Sequence, residues 1–299
     1  MIEDAVVTEA GSDPSAGYES RETLELVELM NAADATVTDA VAAVSSQIAA
    51  AIDAIADRML AGGRLVYVGA GSSGRIAALD ASECEATFST PPGAVVALVA
   101  GGETASSLVQ AAAEDDRARG ADAISALELS AVDSVVGVSA SGATRYVVGA
   151  LDAAARTGAL TACVVSAPDS DLGAIVDHEI AVIVGPEFLA GSTRLKAGTA
   201  QKLVLNTIST VSMIRLGKTY GNLMVDVTAA NEKLTDRVRR IVAAASGASS
   251  AEVDDALAAA DGDARVAIVS LLAGIDADRA RDRLDKSGRS IARALESAP

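Results

Sequence analysis

Histidine occurs once in this chain, cysteine twice and tryptophan not at all, and each shortage removes a class of function. His178, Cys84 and Cys163 cannot supply a Cys/His zinc set, and two cysteines cannot build a disulfide framework. No metal is therefore expected. Aromatic residues make up 2% of the chain, so the core has to be aliphatic. Basic residues are also short: 24 Lys and Arg face 41 Asp and Glu, a formal charge of −17 that repels polyanions. Nucleic acid and anionic membranes are excluded as natural partners. Long apolar runs are missing too, because Ser, Gln or Asp interrupts even the Ala-rich stretch 39–61 despite a mean hydropathy of +0.33. The opening Met-Ile-Glu-Asp is acidic where a signal peptide needs a basic start, so a cytoplasmic protein is expected.

What is present is a globular balance: 299 residues, half of them hydrophobic and 22% charged. Residues 1–18 read as an irregular leader. Over 22–60 apolar positions recur every three or four residues, which predicts two or three helices stopped by Gly62-Gly63. Short apolar runs at 64–69, 95–100, 134–138, 160–166 and 180–184 read as strands buried in a parallel sheet, with helical stretches at 104–119, 144–157 and 170–177 between them. The pattern predicts an α/β fold: a doubly wound, mainly parallel five-stranded sheet with ligands beyond the strand C-termini. Helices are expected at 192–216 and 228–245, a hinge at 246–250, and then three short helices at 250–260, 263–273 and 276–284. The implied domains are 1–60 (leader and helices), 61–245 (α/β) and 246–299 (helical, with a structural or assembly role).

Two strand-to-helix loops carry the chemistry. Gly69-Ala-Gly71-Ser-Ser-Gly74-Arg75 matches the dinucleotide pattern G-x-G-x-x-G, a weak signal that lacks a firm ribose-binding acid, Glu103 being the nearest. Ser72 and Ser73 suit a monophosphate or sugar hydroxyl instead, unless they merely cap a tight turn. Ser139-Ala-Ser141-Gly-Ala-Thr144 offers three more hydroxyls at a second helix N-terminus. Two such loops in one sheet describe a phosphosugar cradle, and neither holds the Gly-Lys-Ser/Thr element of a nucleotide P-loop. Between them, Glu83 ends a mainly apolar helix and is a candidate proton carrier whose surroundings would raise its pKa. Glu114, in Ala-Ala-Ala-Glu114-Asp115-Asp116, reads first as part of a solvated face.

Those loops, with Leu79-Asp-Ala-Ser-Glu-Cys84, Gly191-Ser-Thr-Arg-Leu-Lys-Ala-Gly-Thr-Ala-Gln-Lys202 and Tyr220-Gly-Asn-Leu-Met-Val-Asp-Val227, resemble the N-acetylmuramic acid 6-phosphate etherase family. The likeness runs from about residue 22 to 234, and the C-terminal helices resemble that family's ubiquitin-associated-like domain. It implies the sugar isomerase (SIS) fold and a cofactor-free lyase that removes D-lactate from N-acetylmuramate 6-phosphate in cell-wall amino-sugar recycling. It also implies a homodimer with sites near the subunit boundary. Glu83 and Glu114 become the catalytic pair, Glu83 serving lactate departure and water addition, Glu114 the proton at C2. Ser139, Ser141 and Thr144 become the phosphate loop, with Ser72 and Ser73 on the sugar or phosphate. Glu187 stands where SIS isomerases keep a functional glutamate, and Lys196 and Lys202 are candidates to face the anion. His178 reads as structural. The sequence departs from the family in the leader after Thr8-Glu9, at Glu85-Ala86, and at Ala143 and Arg145 in the phosphate loop. A phosphosugar isomerase of the same fold and a non-catalytic sugar-phosphate sensor like the glucokinase regulatory proteins are the competing functions.

Overall fold

The computed structural model describes residues 17–102, 107–226 and 232–296. Most of the expected leader, Glu103 and the starts of the helices expected at 104 and 228 lie outside these residues. Contacts divide the chain into two compact units, 1–82 with 93–209, and 83–92 with 210–299.

The first unit is built on five parallel strands, β1 (Leu65–Gly69), β2 (Val95–Val99), β3 (Ser134–Val138), β4 (Leu160–Val165) and β5 (His178–Ala181). Their order is β2-β1-β3-β4-β5. Every residue of β1, β3 and β4 is buried, as continuous apolar runs in a doubly covered sheet should be, whereas the edge strands β2 and β5 are half-buried. The order reverses between β1 and β3, so loops leaving those two strands diverge to opposite faces and open a crevice between them.

Helices α1 (Thr23–Asp34), α2 (Val37–Ala43) and α3 (Ser45–Leu60) precede the sheet. Only α3 buries a full apolar stripe, Ile48, Ile52, Ile55 and Met59; α1 buries nothing, and Leu24 and Val27 are exposed. After β1 comes α4 (Gly71–Phe88). The single helix expected at 104–119 is two, α5 (Ser107–Glu114) and α6 (Arg117–Ser125), because the Asp116 carboxylate accepts the Arg119 amide at 3.0 Å and starts a new helix. Helix α7 (Arg145–Arg156) follows β3. The helix expected at 170–177 is only a 3₁₀ turn, Gly173–Ile175, and β5 begins two residues earlier than the apolar run suggests. Helix α8 (Lys196–Arg215) starts four residues later than expected.

In the second unit a hairpin absent from the sequence reading, β6 (Thr219–Tyr220) and β7 (Leu223–Met224), precedes α9 (Glu232–Ser246), α10 (Ser250–Ala259), α11 (Ala264–Ala273) and α12 (Ala277–Lys286). A short α13 (Ile291–Glu296) follows the three expected helices. Val238 and Val242 of α9 share one apolar core with Val253, Ile268, Leu284 and Ile291, so the unit begins before α9 rather than at 246. The presumed hinge is a capping box: Ser249 and Glu252 exchange side-chain-to-backbone bonds at the start of α10. Asp226 accepts from Lys218 at 2.5 Å and Arg265 at 2.8 Å, tying the end of the hairpin motif to α11. Among the described residues no single helix is long and apolar enough to cross a membrane.

Candidate active site

The β1–α4 turn begins the site. An added Cβ on Gly69 would lie 2.8 Å from the Gly74 Cα, and one on Gly74 would lie 2.9 Å from a Val99 methyl. These two glycines serve close strand–helix packing, which sets Ser72 and Ser73 in the first turn of α4 at the sheet's C-terminal edge.

The β3–α7 loop faces it. The Ser139 and Thr144 hydroxyls are 2.8 Å apart, Ser141 is 3.4 Å from Ser139, and the Gly142 amide donates to Ser139 Oγ at 3.1 Å. Gly142 has φ +71°, and a Cβ there would strike Ser170 at 2.4 Å, so the tight hydroxyl loop requires glycine. Thr144 occupies the N-cap position of α7 yet makes no capping bond; its hydroxyl donates instead to Glu114 Oε1 at 3.4 Å. Capping therefore does not account for Thr144.

These loops enclose a cavity of about 260 Å³ at the β1/β3 reversal, lined by Ala70, Gly71, Ser72, Ser73, Glu114, Ser139, Ala140, Ser141, Thr144, Gly191 and Thr193. Six hydroxyls and one carboxylate face it, with no apolar side chain larger than alanine. Such a lining suits a polyhydroxylated, phosphorylated ligand, with the anion at the α7 N-terminus. Among the described residues no three His, Cys, Asp or Glu are grouped to hold a metal ion.

The N-acetylmuramic acid 6-phosphate etherase of Streptomyces avermitilis is 54% identical over 99% of this chain and 95% of its own. That of Rubrobacter xylanophilus is 55% identical over 93% of each. The chain belongs to the N-acetylmuramic acid 6-phosphate etherase family. Its members are carbon–oxygen lyases. Residues 47–155 also match the glucokinase regulatory protein N-terminal SIS domain. A phosphoheptose isomerase from Francisella tularensis covers 65% of this chain and all of its own at a TM-score of 0.53 and 18% identity, a likeness of fold.

Within this etherase-family chain the cavity gathers Ser72, Ser73, Glu114, Ser139, Ser141 and Thr144. Glu114 thus faces the hydroxyl loop, not a solvated surface. Other candidates sit elsewhere. Glu187 is 1% exposed and caps α8, accepting the Lys196 and Ala197 amides at 2.9 and 3.0 Å, and it is not among the lining residues. That double cap is why α8 starts at Lys196. The Lys196 ammonium is buried and donates to the Val184 carbonyl at 2.6 Å, while Lys202 is exposed on α8. His178 opens edge strand β5, paired with Ala162, a structural place. Glu83 is exposed on α4 and is not among the lining residues. Gly191 and Thr193 also line the cavity; the Gly191–Lys202 motif marks this stretch, but nothing in the motif tells which of its residues turn inward.

Proposed function

We propose that this chain cleaves the lactyl ether of N-acetylmuramate 6-phosphate, giving N-acetylglucosamine 6-phosphate and D-lactate, as a cytoplasmic step in cell-wall amino-sugar recycling. The observation that carries this reading is Glu114 beside the Ser139–Ser141–Thr144 loop, a carboxylate next to a phosphate cradle in a chain of the etherase family. Ring opening gives an aldehyde that acidifies the proton at C2. Glu114 removes it, the C3–O bond breaks, and the lactate oxygen takes a proton from Glu83. Water then adds at C3 with Glu83 as base, and Glu114 returns the proton to C2. A proton and an alkoxide leave and the elements of water enter, so the sequence involves no net redox change.

Glu83 lies ten residues beyond Ser73 in α4, about 15 Å of helical rise. We therefore take the working form to be a homodimer in which Glu83 serves the cavity of the other copy. The exposed apolar face of α1, with Leu24 69% and Val27 50% exposed, supports an interface between subunits.

Incubation with N-acetylmuramate 6-phosphate should release D-lactate, and no release would remove the etherase reading in favour of an isomerase. Nuclear magnetic resonance in deuterium oxide tests the base: wild type should exchange the C2 hydrogen of N-acetylglucosamine 6-phosphate. Glu114→Gln should lose both exchange and lactate release by about 10²–10⁴-fold. Exchange at the wild-type rate in that variant would take C2 away from Glu114.

A further inference from the structure

We propose that Tyr18 is a positioning residue for the cavity: by stacking on Phe188 it holds the turn that carries Gly191 and Thr193 where that turn forms a wall of the site. The assignment rests on the phosphosugar reading of the cavity and adds to it a residue from outside the lining.

The chain has four Tyr and two Phe, and among the described residues one pair of these rings stacks. The Tyr18 and Phe188 centroids lie 4.7 Å apart with their planes 8° from parallel, and both residues are half-buried. Tyr18 is presented from a closed 3₁₀ turn, Tyr18–Ser20, just ahead of α1. There the Gly17 carbonyl accepts the Ser20 amide at 3.1 Å and the Ser20 hydroxyl at 2.8 Å. Phe188 lies in the irregular chain between β5 and α8. The base of that segment is pinched, because Glu187 accepts the first amides of α8. Between Glu187 and Lys196 the chain makes a turn closed by the Ser192 amide, which donates to the Leu189 carbonyl at 2.9 Å. Gly191 of this turn and Thr193 just after it line the cavity. Leu189, Ala190 and Gly191 are exposed, so little burial fixes the tip. Phe188 immediately precedes the turn, and moving its ring moves the wall. A turn held only at its base can swing. A second fixed point on the entering arm removes that freedom, so the cost of ordering the turn falls on folding rather than on ligand binding.

If the stack biases the turn, its loss lowers the fraction of protein ready to bind and weakens apparent affinity by that fraction. Tyr18→Ala should weaken N-acetylglucosamine 6-phosphate binding to the full chain, measured by calorimetry, by about 2- to 10-fold, the range set by one aromatic pair. Tyr18→Phe keeps the ring and should bind as wild type does. Phe188→Leu keeps apolar bulk but removes the stack, and should match Tyr18→Ala. Thr193→Val should weaken binding in the wild-type chain and weaken it less in Tyr18→Ala, because a wall already out of place has less to lose. A ring that merely packed the N-terminal turn onto its neighbours would lower the melting temperature of Tyr18→Ala and leave affinity unchanged. That result would overturn the proposal. So would an equal loss in Tyr18→Phe, or effects of Tyr18→Ala and Thr193→Val that simply add. A wild-type chain that does not bind N-acetylglucosamine 6-phosphate would fail the phosphosugar reading itself, and the positioning role with it.

Discussion

At the scale of single residues the site is decided by where hydroxyls spend their bonds. Thr144 sits at a helix N-cap but leaves the cap unmade, turning to Ser139 and Glu114 instead. Its hydroxyl is thus available to a ligand at little structural cost, whereas Ser139 is buried and accepts the Gly142 amide that shapes the loop. Thr144→Val keeps the branched shape and removes only the hydroxyl. It should weaken N-acetylglucosamine 6-phosphate binding, measured by calorimetry, by about 1.5–3 kcal/mol. Its melting temperature should stay close to wild type, and unchanged affinity would take Thr144 out of the phosphate cradle. The hydroxyl loops were legible in the sequence because two of them, each after a buried strand and before a helix, fall in one sheet with more hydroxyls than capping two helices calls for. Glu187 and Lys196 were not. A carboxylate ahead of a helix can face a ligand or the helix's own amides, and the choice depends on how closely the loop returns to the first turn, which no local pattern records.

At the scale of elements the parallel sheet was legible because its three central strands are buried on both faces and read as uninterrupted apolar runs. Boundaries were less so: Asp116, counted in an acidic cluster, is the cap that splits α5 from α6. A similar carboxylate joins β1 to the turn before β3. Asp133 accepts the Arg64 amide at 2.8 Å, the Arg64 guanidinium at 3.0 and 3.1 Å and the Ser130 amide at 2.7 Å. Burial alone would raise its pKa, but Arg64 and these amides outweigh it and hold the carboxyl well below the usual carboxylate range. A depressed folded pKa means the stabilisation is complete above the unfolded value, near pH 4, and is lost as pH falls toward the folded value. Asp133→Asn should therefore lower the melting temperature by a similar margin at pH 6 and pH 8, and by a smaller one at pH 3. A gap that stays constant down to pH 3 would mean that the charge on Asp133 contributes nothing.

At the scale of the whole molecule, the second unit's true start was hidden because Ser-Gly-Ala-Ser-Ser reads as a hinge when two of the residues around it form a capping box. In the proposed mechanism, pairing of two copies of the chain bears directly on catalysis. Glu114 lines the cavity, while Glu83 is exposed far along α4, and the proposed elimination uses both. If each site takes Glu114 from one subunit and Glu83 from the other, Glu83→Gln and Glu114→Gln are each inactive alone but complementary. A mixed dimer of the two then holds one site with both glutamates and one with neither. Equal amounts, allowed to exchange subunits, should recover about a quarter of the wild-type lactate release, since half the dimers are mixed and one site in two is intact. Recovery should vanish when the variants are cross-linked as dimers before mixing. If both glutamates came from one chain, no mixture could rebuild a site, so persistent inactivity despite demonstrated subunit exchange would place Glu83 and Glu114 in the same subunit's cavity and require α4 to bring Glu83 back toward its own Ser73.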